Sequence, residues 1–409
     1  MENGFGGIGA IMTMLVTGGA GFIGSNFVNY MLDKKEKIVI LDSLTYAGNL
    51  NNLSKHLTER NLLVPNLHHR LATIQVDADQ IVEIDHDAVS EHMHLRLKTS
   101  GWSPQIISPE NLALEISHIL AGEDLVFVYG SIADYDLVQE VIKECDIIVN
   151  FAAETHVDRS ILNPDLFIKT DVYGTHILLE AARKCENLKR FVHISTDEVY
   201  GVATDHSFTE LDPINPRNPY SASKAAADRL VYAYNQTYGI PVTIVRPSNN
   251  FGPYQYPEKL IPVMIIKALR NEPLPIYGDG KQIRDWLFVK DTVSALDCII
   301  QGGIVGEVYN IAGRNERENI EVVRIILRML GKDETLIRHI EDRPGHDRRY
   351  SLDDTKLCAD LGFKHRGNFE EALASTIQWY VDNQEWWRKI IESDNEYAAF
   401  VQKWYASKM

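Results

Sequence analysis

Met14-Leu15-Val16-Thr17-Gly18-Gly19-Ala20-Gly21-Phe22-Ile23-Gly24 is the stretch that decides the fold. Met14 to Thr17 form a short apolar strand, glycines at 18, 21 and 24 punctuate a turn, and Ser25 to Leu32 has helical periodicity. Lys37-Ile38-Val39-Ile40-Leu41 follows as a second strand ending at Asp42. Strand, glycine turn, helix and strand make one βαβ unit of about 30 residues. Gly18 permits the tight turn, Gly21 lets the backbone approach a pyrophosphate, and Gly24 lets the helix pack against the strand. A diphosphate then sits on the free amides at the helix N-terminus. A carboxylate at Asp42 accepts hydrogen bonds from a ribose 2′-hydroxyl and repels a 2′-phosphate, which favours NAD over NADP. Gly18, Gly21, Phe22, Ile23, Gly24 and Asp42 are the cofactor-binding candidates. The bland alternative is a glycine-rich structural turn.

Further strands read at Leu125–Tyr129, Ile147–Phe151, Arg190–Ile194 and Pro241–Arg246, with helical segments between them. Strands alternating with helices predict an α/β fold, a doubly wound parallel sheet covered on both faces. From about residue 249 the text turns to Pro/Gly-punctuated loops and short helices, such as Phe251-Gly-Pro-Tyr254 and Tyr277-Gly-Asp-Gly-Lys281. The expected organisation is an N-terminal extension over residues 1–12 and an NAD-binding domain over 13–248. A smaller, partly interleaved substrate-binding domain takes residues 249–409.

One stretch breaks the rhythm. Between Asp42 and Leu125 the chain is far longer than one helix and two loops require, so residues 55–121 read as an insertion after the second strand. It holds seven of the fourteen histidines: His56, His68, His69, His86, His92, His94 and His118. A metal site near His86, His92 and His94, with Asp85 and Asp87, is one reading. A solvated acidic lobe is the preferred one, because no HExxH or paired-cysteine spacing is present, so no metal is expected.

Composition narrows the partners. The chain has 41 Lys+Arg against 57 Asp+Glu, a formal charge of −16, with 45% apolar and 24% charged residues. That balance is ordinary for a globular protein and argues against a nucleic-acid backbone as partner. No run of about 18 apolar residues occurs, so no membrane span is expected. Four scattered cysteines (Cys145, Cys185, Cys298, Cys358) without a CxxC pair fit a reducing compartment. The first basic residue is Lys34, so the N-terminus lacks the basic segment of a signal peptide, and a cytoplasmic location is expected.

Tyr220-Ser-Ala-Ser-Lys224 places a phenol and an ammonium at i and i+4 on one helical face. A cation there favours the phenolate, which makes Tyr220 a base for an alcohol hydroxyl. Upstream, the strand Phe191-Val-His-Ile194 runs into Ser195-Thr196-Asp197-Glu198. Polar residues at the carboxyl end of a parallel strand lie where open α/β sheets place their ligands. Thr196 can hydrogen-bond a substrate oxygen. Asp197 and Glu198 repel one another in a shared pocket, so at least one keeps its proton into a higher pH range. One protonated acid beside one ionised base is what elimination of water needs. A solvated loop with incidental acids is the alternative.

At these residues the chain resembles the extended short-chain dehydrogenase/reductase family of nucleotide-sugar enzymes. The resemblance covers nearly all of the chain outside 1–12 and the insertion. It rests on Asp42-Ser-Leu-Thr-Tyr-Ala-Gly-Asn49, Ala152-Ala-Glu-Thr-His-Val-Asp-Arg-Ser160 and Ser195-Thr-Asp-Glu-Val-Tyr-Gly201. Downstream it rests on Ser248-Asn-Asn-Phe-Gly-Pro-Tyr254, Pro257-Glu-Lys-Leu-Ile-Pro262, Gln282-Ile-Arg-Asp-Trp286 and Arg343-Pro-Gly-His-Asp347. The Thr-Asp-Glu triplet points to the members that dehydrate a sugar.

The resemblance implies a Rossmann sheet, bound NAD, a homodimer and dehydration of a nucleotide-activated hexose, dTDP-glucose, to its 4-keto-6-deoxy product. UDP-glucose or another nucleotide hexose, and 4-epimerisation, are the rival activities; a non-catalytic NAD-binding protein is the rival of another class. Tyr220, aided by Lys224 and Thr196, would remove the O4 proton; Glu198 would take the C5 proton as Asp197 protonates the departing C6 hydroxyl. Lys224 and Tyr220 would also touch the cofactor. Asn250, Glu258, Lys259 and Arg284, with Asn249 and His346, would line the nucleotide-sugar site. An Arg284 pair with Asp285 or Asp279, and a plain loop histidine at 346, are the structural alternatives. Ser131 and Ile132 stand at the adenine position, where the family usually has an acidic residue in place of Ser131.

Overall fold

Alternate residues of the strand Thr13–Thr17 face two different cores, and that alternation organises the molecule. The computed structural model describes residues 12–58, 60–65, 71–75, 81–86, 97–98, 105–342 and 346–393. Its main sheet has nine strands: β1 (Thr13–Thr17), β2 (Lys37–Asp42), β3 (Leu62–Pro65), β4 (Gln105–Ile107), β5 (Leu125–Tyr129), β6 (Ile147–Asn150), β7 (Arg190–Ile194), β8 (Val242–Pro247) and β9 (Val308–Ile311). Their spatial order is β9-β8-β7-β6-β1-β2-β5-β3-β4, and every pairing is parallel. Continuous apolar runs such as Leu125–Tyr129 and Ile147–Asn150 are buried along their whole length, as a sheet covered on both faces requires. Val16 and Ile40 pack with Phe27 on one face; Leu15, Val39 and Leu41 pack with Leu137 and Leu178 on the other. The strand order switches direction at β1, which has β2 on one side and β6 on the other. Open sheets open their ligand crevice at the carboxyl edge beside such a switch.

The doubly wound sheet agrees with the sequence expectation, and its outer edge adds to it. Within the stretch read as an insertion, β3 inserts between β5 and β4 of the same sheet, with Leu62, Leu63 and Val64 fully buried. The helix Leu112–Leu120 buries Leu112, Ile116 and Leu120 behind them. This part of the stretch is integral to the sheet, not a separate lobe, because its apolar residues complete the core around Val126 and Val128. The histidine cluster at His86, His92 and His94 falls on residues whose side chains lie outside those described.

A third core, with Phe251, Trp286, Ile326, Phe369, Tyr380 and Trp387, underlies the C-terminal region. The region is interleaved with the main sheet: after small strands at Asn249–Phe251 and Ile283–Phe288, the chain returns to add β9 beside β8. Among the described residues no helix is long and apolar enough to cross a membrane.

Candidate active site

The cofactor end is built around α1 (Phe22–Asp33). Gly18 adopts φ +69°, and a Cβ there would lie 2.7 Å from the Ala152 backbone nitrogen. A Cβ on Gly24 would lie 2.2 Å from the Gly18 carbonyl oxygen, so only glycine lets α1 start this close to β1. Gly21 is the N-cap and offers no side chain to the first-turn amides of Phe22 and Ile23. Asp42 is buried at the end of β2, its Oδ2 accepting from the Ala20 amide and its Oδ1 from the Leu44 amide, both at 2.8 Å. Burial raises the Asp42 carboxyl and the two amides pull it back. The cradle and the carboxylate fit a dinucleotide; Asp42 also organises the turn itself. Ser131 caps its own turn, accepting the Ala133 amide at 3.1 Å, while Ile132 is buried against Gly174.

The candidate catalytic end lies past β7. Thr196 caps the short helical turn Asp197–Tyr200, accepting the Glu198 amide at 3.3 Å and donating to Asp197 Oδ1 at 3.0 Å. Asp197 is 2% exposed, and its Oδ2 has no hydrogen-bond partner among the described residues. Burial first, and the neighbouring Glu198 second, push its carboxyl up to about 8; Arg284 opposes them and loses. Asp197 is therefore protonated at neutral pH, which is the acid half of the expected pair. Glu198 is half-buried, with Asn218 Nδ2 at 3.5 Å and the Tyr350 hydroxyl at 3.4 Å from Oε2.

Tyr220 and Lys224 sit on α2 (Pro219–Tyr238), which starts at an Asn218–Ser221 capping box with Pro219 in the first turn. Tyr220 packs edge-on to Phe167, and the Thr196 hydroxyl acts to lower its phenol. The expected lowering of this phenol by Lys224 is corrected here. Burial pushes Tyr220 well up, and Glu198 and Asp171 add to the rise, while Lys224 Nζ donates to the Ile194 carbonyl at 2.7 Å. Burial also lowers Lys224, with Asp171 and Asp228 restoring part of its proton affinity.

The substrate-side candidates divide into two groups. Arg284 is buried beside the Asp-Glu turn, donates to the carbonyls of Ile283 (2.8 Å) and Asp347 (3.0 Å), and lies 4.3 Å over the Tyr350 ring. Neither alternative pairing organises it: Asp285 accepts the Gly313 and Asn315 amides, and Asp279 pairs with Arg348. His346 sits at 2.6 Å from Asp342 and edge-on to Tyr277. The second group gathers around Glu258, whose two oxygens accept from Tyr46 (2.8 Å) and Arg159 (2.9 Å). Lys259 reaches the Thr155 carbonyl at 2.7 Å; Asn250 holds Thr292 at 2.5 Å beside half-buried Asn249. Glu258 is thus half of an ion pair already made within the chain.

Four participants escaped the sequence reading. Asp171, on the π-helical turn Ile168–Gly174, accepts from Ser223 Oγ (2.6 Å) and the Glu154 amide (2.8 Å), and burial pushes it to about 6. The Arg159 guanidinium stacks 3.6 Å from the Tyr46 ring centroid. Tyr350 joins Glu198 to Asp347. Tyr46 and Arg159 lie inside quoted motifs, and that was their only signal.

A sequence model of the GDP-mannose 4,6 dehydratase family matches residues 107–376, and one of the NAD dependent epimerase/dehydratase family matches 14–119. The dTDP-glucose 4,6-dehydratase of Xanthomonas campestris pv. campestris (strain B100) is 43% identical over 400 residues, covering 93% of this chain and 96% of that relative. This chain belongs to the dTDP-glucose 4,6-dehydratase family. The Escherichia coli member is 39% identical over 417 residues, 95% of this chain and 98% of its own length. Among solved structures, the dTDP-glucose 4,6-dehydratase DesIV of Streptomyces venezuelae, with NAD and TYD bound, superposes with a TM-score of 0.74. It is 37% identical over 93% of this chain and the whole of that one. In this chain the Thr196-Asp197-Glu198 turn after β7 packs against α2, whose first turns carry Tyr220 and Lys224.

Proposed function

We propose that this chain converts dTDP-glucose to dTDP-4-keto-6-deoxyglucose, with NAD as a resident cofactor. The observation that carries the reading is Asp197, a buried carboxyl kept protonated beside half-buried Glu198 at the end of β7. A 4-epimerase has no need of that pair. Gly18, Gly21, Phe22, Ile23, Gly24 and Asp42 would hold NAD, with Ser131 and Ile132 toward the adenine. When bound, NAD supplies a hydride acceptor and a cationic ring, and that charge acts against the burial that keeps the Tyr220 phenol protonated.

The chain's own residues account for the proton movements. The Thr196 hydroxyl acts on the Tyr220 phenol, so a sugar O4–H meeting Tyr220 would have a route for its proton there, with Lys224 as the adjoining positive charge. Once C4 is a ketone, the C5 proton is acidic. Glu198 takes it, the electron pair forms the C5–C6 double bond, and Asp197 gives its proton to the departing C6 hydroxyl, which leaves as water. Arg284 and Lys259 supply cations for the diphosphate or sugar, and Asn249, Asn250, Glu258 and His346 shape that side.

A homodimer is part of the proposal. Ile161, Leu162, Ile168 and Tyr173 are exposed on helical segments that pack against α2, which exposes Tyr232 and Tyr238, and a second copy would cover these apolar side chains. Four free thiols suit a cytoplasmic location. The test is mass spectrometry of the purified protein mixed with dTDP-glucose and, separately, UDP-glucose, without added NAD. Loss of one water from the dTDP sugar alone is expected; loss from the UDP sugar alone changes the nucleotide, and loss from neither, with NAD supplied, overturns the reading.

A further inference from the structure

We infer that Tyr350, held by Asp347, is a positioning residue that favours the protonated state of Glu198. The inference rests on the reading of Glu198 as the group that takes the C5 proton. Tyr350 Oη lies 2.6 Å from Asp347 Oδ2 and 3.4 Å from Glu198 Oε2. Tyr350 and Asp347 are each 2% exposed, and Arg217 anchors the other Asp347 oxygen at 2.9 Å.

A phenol has one proton, and the shorter contact claims it. With that proton committed to Asp347, the phenol offers Glu198 a lone pair. An ionised Glu198 gains nothing from a lone pair, whereas a protonated one donates to it. The other contact of Glu198, Asn218 Nδ2 at 3.5 Å, is a donor and suits the ionised state. The carboxyl therefore has one partner for each side of the proton transfer. The Tyr350 contact strengthens as the C5–H bond breaks and the proton reaches Glu198. Only interactions that strengthen on the way to the transition state accelerate a step. Arg284 stacks on the same ring 4.3 Å away, so Tyr350 also ties the base to the cation beside Asp197.

Tyr350→Phe removes one oxygen and leaves the ring under Arg284. For one lost hydrogen bond at the transition state, kcat should fall about tenfold with KM for the sugar nucleotide within about twofold. The decisive readout is the isotope effect on kcat with substrate deuterated at C5, which should grow in the variant because that proton transfer becomes slower relative to the other steps. Tyr350→Leu, which also removes the ring from Arg284, should raise KM as well. An unchanged kcat in Tyr350→Phe, or a lower kcat with an unchanged C5 isotope effect, overturns the inference while leaving the dehydratase reading intact. Wild-type protein that releases no water from either sugar nucleotide overturns both.

Discussion

Two turns at the carboxyl edge of one sheet treat a buried aspartate in opposite ways. After β2, Asp42 has both oxygens on backbone amides, Ala20 and Leu44 at 2.8 Å. After β7, Asp197 has one oxygen on the Thr196 hydroxyl and the other without a partner among the described residues. Burial raises both carboxyls. Two amide donors stabilise the anion of Asp42, whereas Asp197 has a single hydroxyl donor and a second carboxylate beside it, and is held up to about 8. The difference is a division of labour. The turn after β2 is closed by its own hydrogen bonds and presents a fixed shape, while the turn after β7 holds a raised carboxyl of the kind proton-transfer chemistry uses.

The largest effect that would test this contrast is at Tyr220, where burial first, and then Glu198 and Asp171, raise the phenol. Tyr220→Phe should lower product formation by about 10³-fold, within the range for a lost proton-transfer group. Thermal stability should change little, because the ring still packs edge-on to Phe167. Product formation within a few-fold of wild type would remove the phenol from the reaction and leave the catalytic turn without its first step.

Asp197→Asn comes next. It leaves Glu198 able to take the C5 proton but removes the donor to the leaving hydroxyl, so water loss should slow by about 10²-fold. Exchange of the C5 hydrogen with D2O, followed by mass spectrometry, should persist. In the wild type, turnover should decline as pH rises through about 8, where Asp197 gives up its proton. A variant that loses C5 exchange and water loss in equal measure would mean that Asp197 and Glu198 do not divide the roles of acid and base.

The closed turn was the more legible of the two. Glycines at 18, 21 and 24 and an acid at 42 express local geometry, and spacing along the chain reports local geometry directly. The Asp-Glu adjacency and the i, i+4 spacing of Tyr220 and Lys224 were legible for the same reason. The electrostatic state of the phenol was not. Lys224 spends a hydrogen bond on the Ile194 carbonyl, and Asp171 arrives from a π-helical turn about which the i, i+4 rule says nothing. Tyr46, Arg159 and Glu258 meet from three segments far apart in the chain, a contact only the fold defines. At the sheet edge, Leu62–Pro65 is too short to stand out from its surroundings, yet its burial against β5 makes it part of the core.

The smallest effect is the most discriminating, because it compares the two aspartates by one measurement, thermal unfolding against pH. An unfolded aspartate titrates at about 3.9 and folded Asp197 at about 8. Between those values the unfolded chain has released this proton and the folded chain has kept it, so stability falls as pH rises. Below the window both states hold the proton and the loss is absent; above it the loss is complete. Asparagine at 197 cannot ionise in either state, so Asp197→Asn should gain stability relative to wild type steadily from about pH 4 to about pH 8. Asp42→Asn behaves differently. Its amide nitrogen must face either the Ala20 or the Leu44 N–H, leaving a buried donor without an acceptor, which costs about 1–3 kcal/mol relative to the carboxylate that accepts both amides. At pH 8 the two variants should therefore lie on opposite sides of the trend: Asp42→Asn below wild type, and Asp197→Asn improved relative to its own standing at pH 4. If the gap between Asp197→Asn and wild type stays flat across that range, Asp197 is already ionised in the folded protein, and the proton that the elimination requires must come from another group.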